Sequence, residues 1–399
     1  MFKILNFLLL MFLASSSCLL HAAEPNPVLI GFDGEFGLEN STSAQAIERG
    51  ILIAIDEINR AGGVLGGRPL KLISKENRSV TARGIRNLKD FAEMPDMVAM
   101  FVGRFSPVAL EYVDLAHELK MILLDPWAAA DAITANGHTP NFAFRVSLRD
   151  SLAMRAMFRH ALSNGATRVG LLLPNTSWGR SNLGSANRYY LESREPHSAG
   201  IEWYQWGDPS MLAKYQALRA AGAEAIAFVA NDSEAVILCR EIAALPEDER
   251  IPIVSHWGVT GGNFASLIRD DLDKIDFAVV QTFSFFKADP EMVKRVMAVS
   301  QRLFGIARIE DLESPVGVGH AYDLTHLLAR AIEIAGTTER EAVRDALEQV
   351  KHYRGLVKYY AHPFTPENHD ALDAADVFMA RYRPTDGAIV PLVETLGED

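Results

Sequence analysis

The chain has 399 residues, with 39 Lys and Arg against 51 Asp and Glu, a net charge of −12, and two cysteines. With 49% hydrophobic and 23% charged residues it has the balance of a globular protein with room for two or three cores. The acidic surplus argues against nucleic acid as a partner.

Residues 1–23, MFKILNFLLLMFLASSSCLLHAA, carry one basic residue (Lys3), an apolar run from Ile4 to Leu13 and then small residues. This pattern predicts a secretory signal peptide cleaved near Ala22 or Ala23, and so an exported protein. Ser15-Ser16-Ser17-Cys18 loosely matches a lipidation box, but Ser15 stands where Leu is usual, so a lipid anchor at Cys18 is the alternative. No later run reaches the about 18 apolar residues of a membrane span. Removing Cys18 leaves Cys239 without a disulfide partner. In SEAVILCREIAAL it reads as a small buried residue of a helix.

Nearly continuous apolar runs follow in chain order: 28–32, 70–73, 97–102, 121–124, 168–173, 225–230, 251–254 and 277–280. Such runs suit parallel strands buried on both faces, and the amphipathic segments between them suit crossover helices. In 42–60, Ile47, Ile51, Ile55 and Ile58 repeat at three and four, and Thr42 with Gln45 predicts a capping box. The class is α/β, in two series of about 27–146 and 149–280. Residues 290–350 read as helices that pack on one of them, and 355–395 return to short strands.

Residues 58–72, INRAGGVLGGRPLKL, hold Gly62, Gly63, Gly66 and Gly67. A phosphate loop runs strand, glycines, helix. Here the order is helix, glycines, strand, so the stretch is read as a helix stop and a strand start that touches no ligand. From Arg49 onward, RGILIAIDEINRAGGVLGGRPLKLISKEN resembles type I periplasmic solute-binding proteins, and more closely the branched-chain amino-acid (Leu/Ile/Val) binding family of ABC importers. GRFSPVALEYVDLAHELKMILLDPWAAADAIT (103–134), RVGLLLPNTSWGRS (168–181), IPIVSHWGVTGGNF (251–264) and VGHAYDLTHLLARAI (318–332) continue the likeness in family order.

The resemblance implies two doubly wound, Rossmann-like α/β lobes joined by three hinge crossings near Val146–Ser147, Val280–Phe283 and Gly355–Lys358. Lobe one is then 27–146 plus 283–355, and lobe two 147–282 plus 356–395. Ligands of open α/β sheets sit beyond the C-terminal strand ends. That rule selects loops 33–37, 103–107, 125–130, 174–179, 230–233 and 255–259, which are also where the family's contacts fall.

Glu35, Arg104, Phe105, Ser106, Trp127, Ala129, Trp178, Asn231, Asp232, His256 and Trp257 are the candidate ligand-binding residues. Ser106 matches the family's carboxylate-binding serine. Arg104 is read as a partner for an anion, as paired with Glu35 or Asp125, or as a surface arginine. Ala129 stands where relatives offer a hydroxyl, leaving the backbone amides of Trp127 and Ala129. Trp178 aligns with an aromatic that covers the ligand. Asn231 and Asp232 bind a polar group or cap the next helix. His256 and Trp257 replace an acid that receives an ammonium, with Asp232, Asp125 or Glu35 as substitutes. Of Phe283, Phe285 and Phe286, at least one is expected in the core. The three tryptophans and Arg104 point to an anionic ligand with a flat or apolar body, making an aromatic carboxylate as plausible as an amino acid.

No HExxH, CxxC or GxSxG occurs, and His352, His362 and His369 are too irregularly spaced for a common zinc site. The expectation is a monomeric, periplasmic, non-enzymatic binding protein without cofactor or metal, which hands a small ligand to a membrane ABC permease. The rival is a sensor that closes in the same way but signals to a membrane protein.

Overall fold

A computed structural model describes residues 26–392. The expected signal peptide and Cys18 lie outside the described residues. β1 (Val28–Gly34), β2 (Leu70–Glu76), β3 (Met97–Val102), β4 (Ile122–Asp125) and β5 (Ala143–Arg145) form a parallel sheet in the order β2-β1-β3-β4-β5. A second sheet starts with β6 (Arg168–Pro174), β7 (His197–Tyr204), β8 (Ala225–Phe228), β9 (Ile253–Ser255) and β10 (Phe277–Gln281), again parallel. The chain next makes a short hairpin, β11 (Tyr353–Arg354) with β12 (Tyr359–Tyr360). It then returns to the second sheet with antiparallel β13 (Phe378–Tyr382) and β14 (Ile389–Pro391), giving the order β14-β13-β10-β9-β8-β6-β7.

All eight apolar runs became strands. β5 and β7 were not anticipated. β5 has three residues, and β7 is an edge strand with His197, Ser198 and Glu202 along it, so neither presents a continuous apolar run. Helix Ser43–Arg60 buries Ile47, Ile51, Ile55 and Ile58 as their spacing requires. The capping box does not form: Thr42 Oγ1 bonds Ser314 Oγ at 2.7 Å, and Gln45 Nε2 donates to Phe36 O. The helix ends as a Schellman turn, with Gly62 N–H to Asn59 O and Gly63 N–H to Ile58 O. Gly63 has φ +73°, and a Cβ there would lie 2.4 Å from Arg68 O. The stretch leads into the N-terminal end of β2, as expected of a corner.

Helices Pro290–Phe304 and Pro315–Ala335 pack on helix Ser43–Arg60, so the late helices belong with the first sheet. The hairpin and the segment after it stay on that side too. Asp323, in helix Pro315–Ala335, receives the Leu356 and Val357 N–H groups and the Tyr360 hydroxyl. His369 stacks on Phe144 of β5, and Arg145 pairs with Asp370 at 2.6 Å. The final return to the second sheet therefore falls after about residue 371, later than the Gly355–Lys358 crossing the resemblance implied. His352 and His362 bond Tyr359 Oη and Glu348 O, so all three late histidines have packing or hydrogen-bonding roles. Cys239 is buried in helix Asp232–Ala243, and burial pushes its thiol pKa well up. Phe283 and Phe285 are buried, while Phe286 is 42% exposed.

Candidate functional site

The C-terminal ends of the parallel strands of the two sheets face each other. Between them Arg104, Phe105, Ser106, Pro107, Trp127, Ala129, Trp178, Asn231, Trp257 and Gly258 line one small cavity of about 10 Å³, room for about one water molecule. Eight of the eleven expected residues are in this lining. The other three stand behind it: Glu35 and Asp232 flank Arg104, and His256 backs Trp178.

Arg104 leaves the end of β3 and reaches the other sheet. Its Nη1 donates to Asp232 Oδ1 at 2.7 Å and to Gly261 O at 2.9 Å, and its guanidinium lies over the Phe105 ring. Glu35 Oε1 is 3.9 Å away, so Glu35 is a secondary partner and Asp125 is none. Burial raises the Glu35 pKa against the opposing pull of Arg104 and of Ser43 Oγ, which donates to it at 2.8 Å. Asp125 accepts the Trp127 N–H at 3.0 Å and faces Arg145 at 4.0 Å. Burial pushes its pKa up to about 7 despite that arginine.

Ser106 begins a short helix, and its Oγ accepts the N–H groups of Ala129 and Ala130 at 3.1 and 3.2 Å. Those bonds occupy the oxygen and leave the hydroxyl hydrogen for another acceptor. They also correct an expectation. The Trp127 and Ala129 amides are not free, since they are spent on Asp125 and Ser106.

Trp178 follows the N-cap Thr176 of helix Ser177–Glu192, whose Oγ1 accepts the Gly179 N–H. Its indole N–H donates to Asp150 Oδ1 at 3.1 Å, and its ring stands edge-on to His256. His256 Nε2 bonds the same oxygen at 3.1 Å, so that nitrogen carries the hydrogen. Asp150 Oδ2 and His256 Nδ1 are buried and have no hydrogen-bond partner among the described residues. Asp150 is the acid that sequence reading missed near His256. It opens the first helix after the first crossing, and its N–H donates to Ala129 O at 2.8 Å. Trp206 was also missed: it packs edge-on against Phe105 from the opposite side of the cleft. Its position just after edge strand β7 gave no signal. Asn231 occupies the N-cap of helix Asp232–Ala243 but makes no side-chain cap bond, which leaves its amide to the cavity.

Further bonds join the two sides: Thr42 N–H to Gly261 O, Asn263 N–H to Asn40 O, and Ser314 Oγ to Thr260 O at 2.8 Å. His320 supports the floor beneath Trp257, with Nδ1 donating to Pro126 O at 2.9 Å and Nε2 bonded to Thr282 Oγ1 at 3.0 Å. Burial lowers its pKa to about 4. No group of three or more His, Cys, Asp or Glu residues among the described residues is arranged to hold a metal. None of their helices is long and apolar enough to cross a membrane.

The fold has counterparts among solved structures. A periplasmic binding protein type 1 from Bordetella pertussis Tohama I superposes with a TM-score of 0.81 at 18% identity, covering 92% of this chain and all of that one. The branched-chain amino acid transporter substrate binding protein LivJ of Streptococcus pneumoniae, solved with isoleucine, gives 0.74 at 19% identity over 92% of this chain and 100% of its own. A Leu/Ile/Val-binding protein homolog 1 of Brucella abortus (strain 2308) is 22% identical over 325 residues, 81% of this chain and 82% of that protein. The family model for periplasmic binding proteins matches residues 27–388. With nearly the whole chain matched, and two facing α/β sheets around one cleft, the protein belongs to the periplasmic binding protein family.

Proposed function

We propose that the protein captures a small amino acid or related organic acid in the periplasm, between lobes 27–146 with 283–371 and 147–282 with 372–392, and delivers it as a monomer to a membrane ABC importer. The observation that carries this reading is a tryptophan-rich cavity with the Ser106 hydroxyl in its lining and, behind Trp178, a buried carboxylate with one oxygen unfilled. The Ser106 hydroxyl has a hydrogen to give, and the buried Asp150 Oδ2 lacks a donor. A buried carboxylate oxygen without a donor is costly, and a ligand ammonium or hydroxyl relieves that cost. Trp127, Trp178 and Trp257 supply apolar walls for the ligand body. The cavity holds about one water, so cargo enters only when the lobes part about the three crossings. Its contacts to both lobes then shift the population toward closure. Proteins of the same fold have been solved with isoleucine in one case and with benzoate or 4-hydroxybenzoate in two others, so the fold accommodates either class of acid.

A thermal-shift screen of amino acids and aromatic carboxylates, followed by calorimetry on the best hit, tests the proposal. Asp150→Asn and Trp178→Ala are expected to weaken that hit about tenfold or more. The reading fails if no compound raises the melting temperature, or if both variants bind as tightly as the wild type.

A further inference from the structure

Arg104 is the one cation in the cavity lining, and it is already neutralised from within. The Arg104 and Asp232 side chains are each 4% exposed and lie 2.7 Å apart, one on the loop after β3 and the other at the start of the helix after β8. The backbone wraps the pair closely. A Cβ on Gly261 would lie 2.3 Å from Arg104 Nη1, and one on Gly262 would lie 2.3 Å from Asp232 Oδ2. Arg104 Nε makes no hydrogen bond.

Resting on the cargo reading above, we propose that Asp232 is a specificity-determining residue, an internal counter-ion that competes with cargo for Arg104. A bare carboxylate must displace Asp232 and leave a buried acid unpaired, which is strongly unfavourable. A zwitterion meets no such barrier, because it brings its own cation and has Ser106 and Asp150 to receive its two ends. The pair therefore selects against simple organic anions and for amino-bearing or neutral cargo. It reverses the preference that Arg104 suggests when read from the sequence alone.

Calorimetry with leucine and with benzoate, on wild type, Asp232→Asn and the double variant Arg104→Met/Asp232→Leu, tests this. Removing the internal acid is expected to strengthen benzoate binding about tenfold or more while changing leucine binding less. The double variant, which removes both members of the close pair and leaves only Glu35, an acid whose pKa burial raises, is expected to fold and to lose the gain. Circular dichroism checks each fold, and Asp232→Ser takes the place of Asp232→Asn should that variant unfold. A benzoate-to-leucine ratio that stays at the wild-type value without Asp232, or a gain that persists in the double variant, overturns the assignment. Absence of amino-acid binding by the wild type defeats the cargo reading alone, since the benzoate gain is read independently.

Discussion

Trp127 and Trp257 meet across the cleft from opposite sheets, ring centroids 5.7 Å apart and planes tilted by 43°. Both are about 1% exposed, and Trp257 also packs on His320. Opening the lobes separates the two indoles and wets them. Tryptophan emission is therefore expected to shift when ligand changes the open fraction, and to lose most of that shift in Trp257→Phe. Trp257→Ala is expected to cost about 3–5 kcal/mol in urea unfolding, because it leaves a cavity that the floor cannot fill.

Ser106→Ala leaves the Ala129 and Ala130 N–H groups without an acceptor. A stability loss of about 1–3 kcal/mol is expected from chemical denaturation, together with weaker cargo binding in calorimetry. A loss of affinity without any loss of stability would mean that the two amides find another partner.

His320 supplies the pH dependence of the cleft floor. Its folded pKa is lowered to about 4 from the ordinary 6.5 by burial. Between those values the unfolded chain binds a proton that the folded chain does not, so this contribution to stability falls as pH drops through 6.5 toward 4. Asp125 and Asp323, each raised to about 7, act oppositely: the folded chain holds their protons longer, and stability falls as pH rises from 3.8 toward 7. Comparing wild type with His320→Gln isolates the histidine. The stability gap between them is expected to shift in favour of the variant by about 2 kcal/mol from pH 7 to pH 4.5 in urea titrations.

Asp323 anchors the hairpin. Oδ1 receives the Leu356 N–H at 2.6 Å, and Oδ2 receives the Val357 N–H at 2.9 Å and the Tyr360 hydroxyl at 2.8 Å. Asp323→Asn turns one acceptor into a donor facing donors, at a cost of about 1–3 kcal/mol. Hydrogen exchange is expected to rise across residues 353–360 while the first sheet stays protected.

Gly63→Ala places a methyl group against Arg68 O in a left-handed backbone. It is expected to destabilise the protein by about 1 kcal/mol or more and to leave ligand affinity unchanged, because the turn lies at the opposite end of β2 from the cleft. A change in affinity would place the glycine turn in the binding machinery.

The legible parts of the sequence were local. Continuous apolar runs marked eight strands, because strands covered on both faces need apolar residues at every position. The 62–67 glycines marked a helix stop, because only glycine takes those left-handed angles cheaply. The short and polar β5 and β7 carried no such pattern. Thr42 and Gln45 matched a cap motif, yet a serine 272 residues away took the threonine.

Chain order and strand ends pick out six loops, and eight of the eleven residues chosen from them line one small cavity. The pairing of those residues was decided by the approach of the two sheets. Arg104 met Asp232 across 128 residues, Asp150 bonded both Trp178 and His256, and the Trp127 and Ala129 amides were consumed by their neighbours. The sequence holds the periodicity that builds each lobe. Which buried charges neutralise each other depends on a few ångströms of separation between lobes, and only the packed tertiary structure sets that distance.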